Sequence, residues 1–430
     1  MKSLLSGMLA TAVLAMTSCS AGPGGSGLAP SSVLASEKDR VVPVVPESDL
    51  EELVDGNIAF GFDLYRFLAG QRADDNLFYS PYSISLALAM TYAGAHGETE
   101  AQMAKALRYT LSQERLHPAF NGLDQALAER GEGAEGRDGE GFRLNIANAI
   151  WGQQDYAFLE GFLDTLAIDY GAGLRVLDFV GAPEDCRVTI NDWVSEETEG
   201  KIEDLLPRGT IDPLTRLILT NAIYFNAAWA YPFEEEATHE GPFTRFDGTQ
   251  IMVPLMHQNE SFGYAEGDNY QALELPYDGG EMSMIILLPE RDEFEAFEGS
   301  LDGERVQRII EEVSYRQVAV TMPSFEFESK FNLNQALAAL GMPTAFSDRA
   351  DFSGMTGDRD LYISEVLHNA FVSVDEEGTE AAAATAVVMK LGAMTEQPIE
   401  VLLDHPFIFL IRDVESGAVL FVGRVLDPTA

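Results

Sequence analysis

The amino-acid sequence predicts a mixed α/β domain whose sheets are mainly antiparallel. Helical spacing dominates residues 50–130 and 160–170, whereas the strand-like runs LILTNAIYF, MSMIILLP, QVAVTMPSFEF, AFVSVD and PFIFLI gather later and do not alternate regularly with helices. A hydrophobic content of 46% and a mean hydropathy of −0.03 supply enough apolar surface for one large core in a chain of 430 residues. Charge is the third constraint, because 27 Lys and Arg stand against 70 Asp and Glu, a formal net charge of −43. Nucleic acid or a heparin-type polyanion would be repelled, and no Lys/Arg cluster longer than a pair offers either one a patch. The acidity reads as a hydrated surface suited to salty surroundings.

Residues 1–19, MKSLLSGMLATAVLAMTSC, start with a cation at Lys2, continue through an apolar stretch at 4–16 and end in small residues before Cys19. That is the pattern of a secretory leader, too short to span a bilayer. The ending Met16, Thr17, Ser18, Cys19 resembles a bacterial lipoprotein box, which implies removal of 1–18 and lipid on Cys19. The only membrane association expected is through that lipid, on an extracytoplasmic face. Residues 20 to about 46 are rich in Gly, Ser and Pro without any period, so 19–47 is predicted to be a lipidated, flexible tether. With Cys19 in the leader, Cys186 is the single thiol of the folded part, which excludes a disulfide framework.

Ser48 and Glu51 form a capping-box pattern, and Ile58, Phe62, Tyr65 and Phe67 or Leu68 follow at helical spacing. One domain is therefore predicted over 48–430, with neither a second linker nor an internal repeat. The Gly-rich acidic stretch 130–142 holds a literal GxGxxG at Gly131, Gly133 and Gly136. It follows a helical segment, carries Glu132 and Glu135 where phosphate would sit and opens into no helix, so it reads as a mobile surface loop.

No enzyme is expected. The six histidines show neither HxxxH nor HExxH spacing, and no GxSxG, SxxK or GxxxxGK[ST] pattern occurs. Neither a metal nor a cofactor is predicted. The informative segment is 374–398, VDEEGTEAAAATAVVMKLGAMTEQP, in which Gly378 precedes Thr379, Glu380, the four alanines Ala381, Ala382, Ala383 and Ala384, and Thr385. Val387 and Val388 then argue against a helix, and Gly392 and Pro398 follow. Such small side chains suit either a surface loop or a segment that slides between strands.

The run EEGTEAAAAT strongly resembles the hinge of the reactive-centre loop of inhibitory serpins. The resemblance extends through NLFYSPYSISLALAMTYAGAHGETEAQM from Asn76, INDWVSEETEGKIEDLL from Ile190, LTNAIYFNAAW from Leu219, LELPY from Leu273, SEVLHNAFVSVDEEGTEAAAAT from Ser364 and HPFIFLIRDVESGAVLFVGRVLDP from His405. It spans about 50–430 in unbroken order.

The resemblance implies a serpin fold of three sheets and about nine helices, with a reactive loop at about 376–398. It also implies a monomeric inhibitor that a serine protease attacks. The cleaved hinge (Glu376, Gly378, Thr379, Glu380, Ala381 to Ala384 and Thr385) then inserts as a new strand of the large sheet and carries the acyl-enzyme with it. Thirteen inserted residues, 379–391, would extend roughly 43 Å. About twelve new ladder bonds would contribute on the order of 6 to 18 kcal/mol. Ser80, Ser83, Asn221 and His368 correspond to the polar shutter group beneath the opening strands, and Trp229 to the aromatic of the breach where the hinge enters. The family's usual register puts the scissile bond at Gly392-Ala393, which suits an elastase-like or subtilisin-like protease. Cleavage after Lys390 would point to a trypsin-like target instead, and after Leu391 or Met394 to a chymotrypsin-like or elastase-like one. A non-inhibitory carrier or chaperone is the alternative role, although such hinges usually hold bulky, charged or Pro residues and this one holds small residues at 381–385.

Overall fold

The computed structural model describes residues 32–136, 141–379 and 397–430. Among them, ten α-helices and sixteen strands build two hydrogen-bonded networks of seven and nine strands. The five predicted runs all lie in strands: Leu217–Ala228, Met282–Pro289, the pair Ser314–Pro323 and Phe325–Asn332, Glu365–Val374 and Phe407–Asp413. The apolar character of Met282–Pro289 and Leu217–Ala228 has a simple cause. All eight residues of Met282–Pro289 are buried, as are all but the last of Leu217–Ala228, because both faces of these strands are covered.

The large sheet runs in the order Ser32–Leu34, Leu174–Leu177, Arg143–Gln153, Leu217–Ala228, Gly378–Thr379, Glu365–Val374, Phe325–Asn332. At its centre the strands Leu217–Ala228 and Glu365–Val374 pair in parallel, from Ile218 opposite Glu365 to Ile223 opposite Ala370. The second and third sheets that the resemblance implies share one ladder, because the 18-residue strand Gln250–Gly267 belongs to both. Phe78, stacked at 4.9 Å on Phe421 and at 5.7 Å on Phe409, is among the aromatics that fill the core.

Three expectations are corrected. The tether is not free over its whole length, since Ser32–Leu34 pairs antiparallel with Leu174–Leu177 and extends the large sheet. Beyond it, Arg40 donates to Asn121 Oδ1 at 2.9 Å and Asp124 Oδ2 at 2.6 Å, and the Val41 amide reaches the Ile168 carbonyl at 3.1 Å. Second, the first helix is Glu47–Gln71; its N-cap is Pro46, and the Ser48 hydroxyl faces Asp49 instead of capping the turn. Third, the stretch 130–136 is anchored. Arg130 pairs with Asp413 at 2.8 Å, the Gly131 amide donates to Glu281 Oε2 at 2.7 Å, and the Glu135 carbonyl accepts from Ala228 N at 3.2 Å. Gly131 is required there, because its φ is +74° and a Cβ would stand 2.3 Å from the Phe142 ring.

Candidate functional site

The helix Pro81–Tyr92 presents its N-terminus to the centre of the large sheet, and Ser80 caps it by accepting from Ser83 N at 3.1 Å. Cross-strand register places Asn148, Asn221, His368 and Phe331 in one row beside this cap. Ser80 N donates to His368 Nε2 at 3.2 Å, so the imidazole proton sits on Nδ1, which donates to Asn221 Oδ1. The Asn221 amide donates in turn to Ser83 Oγ at 2.5 Å and to Asn148 Oδ1. Ser80, Ser83, Asn221 and His368 are thus one hydrogen-bonded cluster, each at most 1% exposed. Burial pulls His368 down to about 3, which keeps it neutral. The cluster bridges the two strands that any inserted segment must separate.

Asn148 and Phe331 are members that sequence reasoning missed. Both lie opposite a named residue in register, and the alternation of LNIANAIW around Asn148 was the available signal.

At the upper end of the same sheet, Gly378–Thr379 is a short strand between the two central ones. Gly378 lies opposite Ala228 and Thr379 opposite Ala227, while Thr379 also pairs with Val374. Thr379 is 2% exposed, so this short strand is already seated in the sheet. Gly378 has φ +154°, and a Cβ there would sit 2.3 Å from the Ala227 carbonyl oxygen. The turn that delivers the hinge is tied to Trp229, whose indole donates to the Asp375 carbonyl at 3.0 Å and whose amide donates to the Glu377 carbonyl at 2.9 Å. Phe233 N bonds the Glu376 carbonyl at 2.7 Å, and Thr238 donates to the Glu376 carboxylate at 2.5 Å. Beneath Trp229, Tyr277 stacks at 4.6 Å and 8°. Between this seat and the parallel pairing that ends at Ile223 and Ala370, residues 224–226 and 371–373 do not pair with each other. The sheet is open above and closed below.

Glu380, Ala381 to Ala384, Thr385, Lys390, Leu391, Gly392 and Ala393 lie outside the described residues, as do Cys19 and the leader. Cys186 is buried, and burial pushes its thiol up to about 12, which makes it unreactive. Among the described residues no group of His, Cys, Asp and Glu could hold a metal ion.

A family model for serpins, serine protease inhibitors, matches residues 55–428. The leukocyte elastase inhibitor of Homo sapiens is 40% identical over 389 residues, which cover 88% of this chain and 100% of the relative. An uncharacterized serpin-like protein of Thermococcus kodakarensis is 39% identical over 387 residues, 90% of this chain and 88% of the relative. The crystal structure of Tengpin, a thermophilic serpin in its native state, superposes with a TM-score of 0.78 at 32% identity, covering 92% of this chain and 97% of that one. A sheet closed below and open above, a glycine-led hinge at its mouth and a family match that runs almost from the first helix to the last strand have one meaning: this chain belongs to the serpin family.

Proposed function

We propose that the chain is a suicide-substrate inhibitor of serine endopeptidases that traps its target as a covalent acyl complex. The observation that carries this reading is the hinge strand Gly378–Thr379, already seated between Leu217–Ala228 and Glu365–Val374 above an unpaired stretch of the same sheet. Cleavage of the loop would free the residues beyond Thr379 to follow it, an instance of strand addition driven by release of stored strain. The small side chains at 381–385 fit such a strand on either face. The similarity to leukocyte elastase inhibitors supports protease inhibition and favours a target that accepts small or apolar residues. Shutter roles for Ser80, Ser83, Asn221 and His368 and a breach role for Trp229 follow from the same reading.

The test is incubation with subtilisin and with an elastase. The expected result is a covalent band that survives boiling in detergent and a released C-terminal peptide beginning at Ala393. Cleavage without complex would favour a carrier or chaperone, and a peptide beginning at Leu391 would overturn the Gly392-Ala393 register and point to a trypsin-like target.

The leader and lipoprotein box support a mature protein that begins at lipidated Cys19 on an extracytoplasmic membrane face, with Ser20 favouring an outer membrane. Cys19→Ala should move the protein from the membrane to the soluble fraction of a lipidating host. A wild-type protein already found in the soluble fraction of that host would refute the anchor.

A further inference from the structure

We infer that Tyr277 is a positioning residue that captures the hinge and fixes the register of the strand the hinge becomes. The inference rests on the inhibitory reading above. Tyr277 lies just beyond the strand Tyr270–Pro276 and is 0% exposed. Its ring is clamped between two aromatics, parallel to Trp229 at 4.6 Å and edge-on to Phe225 at 5.1 Å. Backbone bonds from Tyr277 N to the Met282 carbonyl at 3.0 Å and from Asp278 N to the Ala228 carbonyl at 2.8 Å hold the main chain on both sides of the ring. The ring cannot swing without breaking that stack, so its hydroxyl stands at a fixed point, 3.0 Å from Thr379 Oγ1. Burial raises the phenol above its ordinary range, so the hydroxyl stays neutral and can donate or accept.

A fixed contact at this position matters because the rest of the hinge specifies register weakly. Side chains alternate between the faces of a strand, and a slip of one residue moves every one of them to the other face. Four consecutive alanines fit either face. Continuing the observed register places Ala381, Ala383 and Thr385 on the face of Thr379, and Glu380, Ala382 and Ala384 on the opposite one. A slip by one would instead drive the Glu380 carboxylate into the buried place beside Tyr277 that Thr379 now fills, where a charge loses its hydration. Gly378 supplies the backbone half of the pin, since no residue with a Cβ fits against the Ala227 carbonyl. The Tyr277 hydroxyl supplies the side-chain half.

Tyr277→Phe keeps the ring and its stack and removes the hydroxyl. With subtilisin, the variant should still form covalent complex, but the ratio of cleaved to complexed chain should rise about 5-fold, the equivalent of one neutral hydrogen bond. Thr379→Val should act alike, Thr379→Ser should restore the wild-type ratio, and Tyr277→Phe/Thr379→Val should be no worse than either single variant because all remove the same bond. A merely structural role would give additive losses and no rescue by serine. A wild-type chain that traps beside a Tyr277→Phe chain that traps equally well overturns this proposal alone, as do additive effects. A wild-type chain that is cleaved without any complex overturns the inhibitory reading and this proposal with it.

Discussion

Thr379→Arg should turn the protein from a trap into a plain substrate. The side chain at 379 is 2% exposed, beside the hydroxyl of Tyr277, whose ring packs against Phe225 and Trp229. A guanidinium cannot be paired there, and an unpaired charge in such a site costs several kcal/mol after relaxation. The variant hinge is then expelled even before cleavage, so the scissile bond stays accessible and acylation proceeds. Insertion is what fails, and 3 kcal/mol in its barrier slows it by roughly 150-fold, which lets deacylation win. Ala381→Arg and Ala383→Arg should behave similarly, because in an inserted strand that continued the register at Thr379 they would turn to the same face. Thr395→Arg, beyond the inserted segment, should trap normally. The measurement is the ratio of cleaved to complexed chain with one protease, and wild-type trapping by Thr379→Arg would refute insertion of this hinge.

The second large effect is on acid stability. Burial lowers His368 to about 3 and His117 to about 4, so the fold holds both neutral. The sign follows from their position below the unfolded value of about 6.5: unfolding takes up two protons at intermediate pH, so this stability is fully present above about pH 6.5 and is lost as pH falls. The slope is about 1.4 kcal/mol per pH unit for each histidine, close to 3 for the pair between about pH 6 and 4.5. The net charge of −43 acts in the opposite direction, because protonating carboxylates relieves repulsion. The informative quantity is therefore the difference between wild type and His117→Gln/His368→Gln in unfolding midpoint across pH 7 to 4.5. That gap should narrow steadily with acid. A constant gap would mean that neither imidazole is held neutral.

The central strands were legible in the sequence because burial on both faces leaves an unbroken apolar run, as in MSMIILLP. The hinge was legible for a different reason, the resemblance of EEGTEAAAAT to a serpin reactive-loop hinge, since small side chains alone suit a surface loop equally well. The strap at 32–46 was hidden, because it docks largely through Lys38, Arg40 and backbone groups and adds only Leu34 and Val45 to the core, while Val42 and Val44 remain 83% and 99% exposed. No hydrophobic period could announce it. Ser48 misled for a related reason: Pro46 already set the extended backbone that precedes a helix, so the first turn began two residues early. Asn148 and Tyr277 are legible only through partners far away in the chain, and Tyr277 meets Thr379 across 102 residues.

The unpaired stretch between residues 224–226 and 371–373 divides the hinge's path into two legs with different physics. Extending the antiparallel register from Thr379 opposite Ala227 puts Glu380, Ala381 and Ala382 opposite Phe225 and its two neighbours, where no ladder has to be broken first. On that path Ala383 would be the first residue to meet the closed seam, at Ile223 and Ala370, and from 383 to 388 every step would have to undo one parallel pairing before making two antiparallel ones. Antiparallel pairing is the slightly stronger of the two, so each of those steps runs downhill, but only after a local rupture. The early leg is a capture and the later leg is an unzipping. On the inhibitory reading, the interval in which a bound protease can still escape would thus be timed by the six-residue seam and by the His368 cluster that straddles it, with only its direction decided at the mouth.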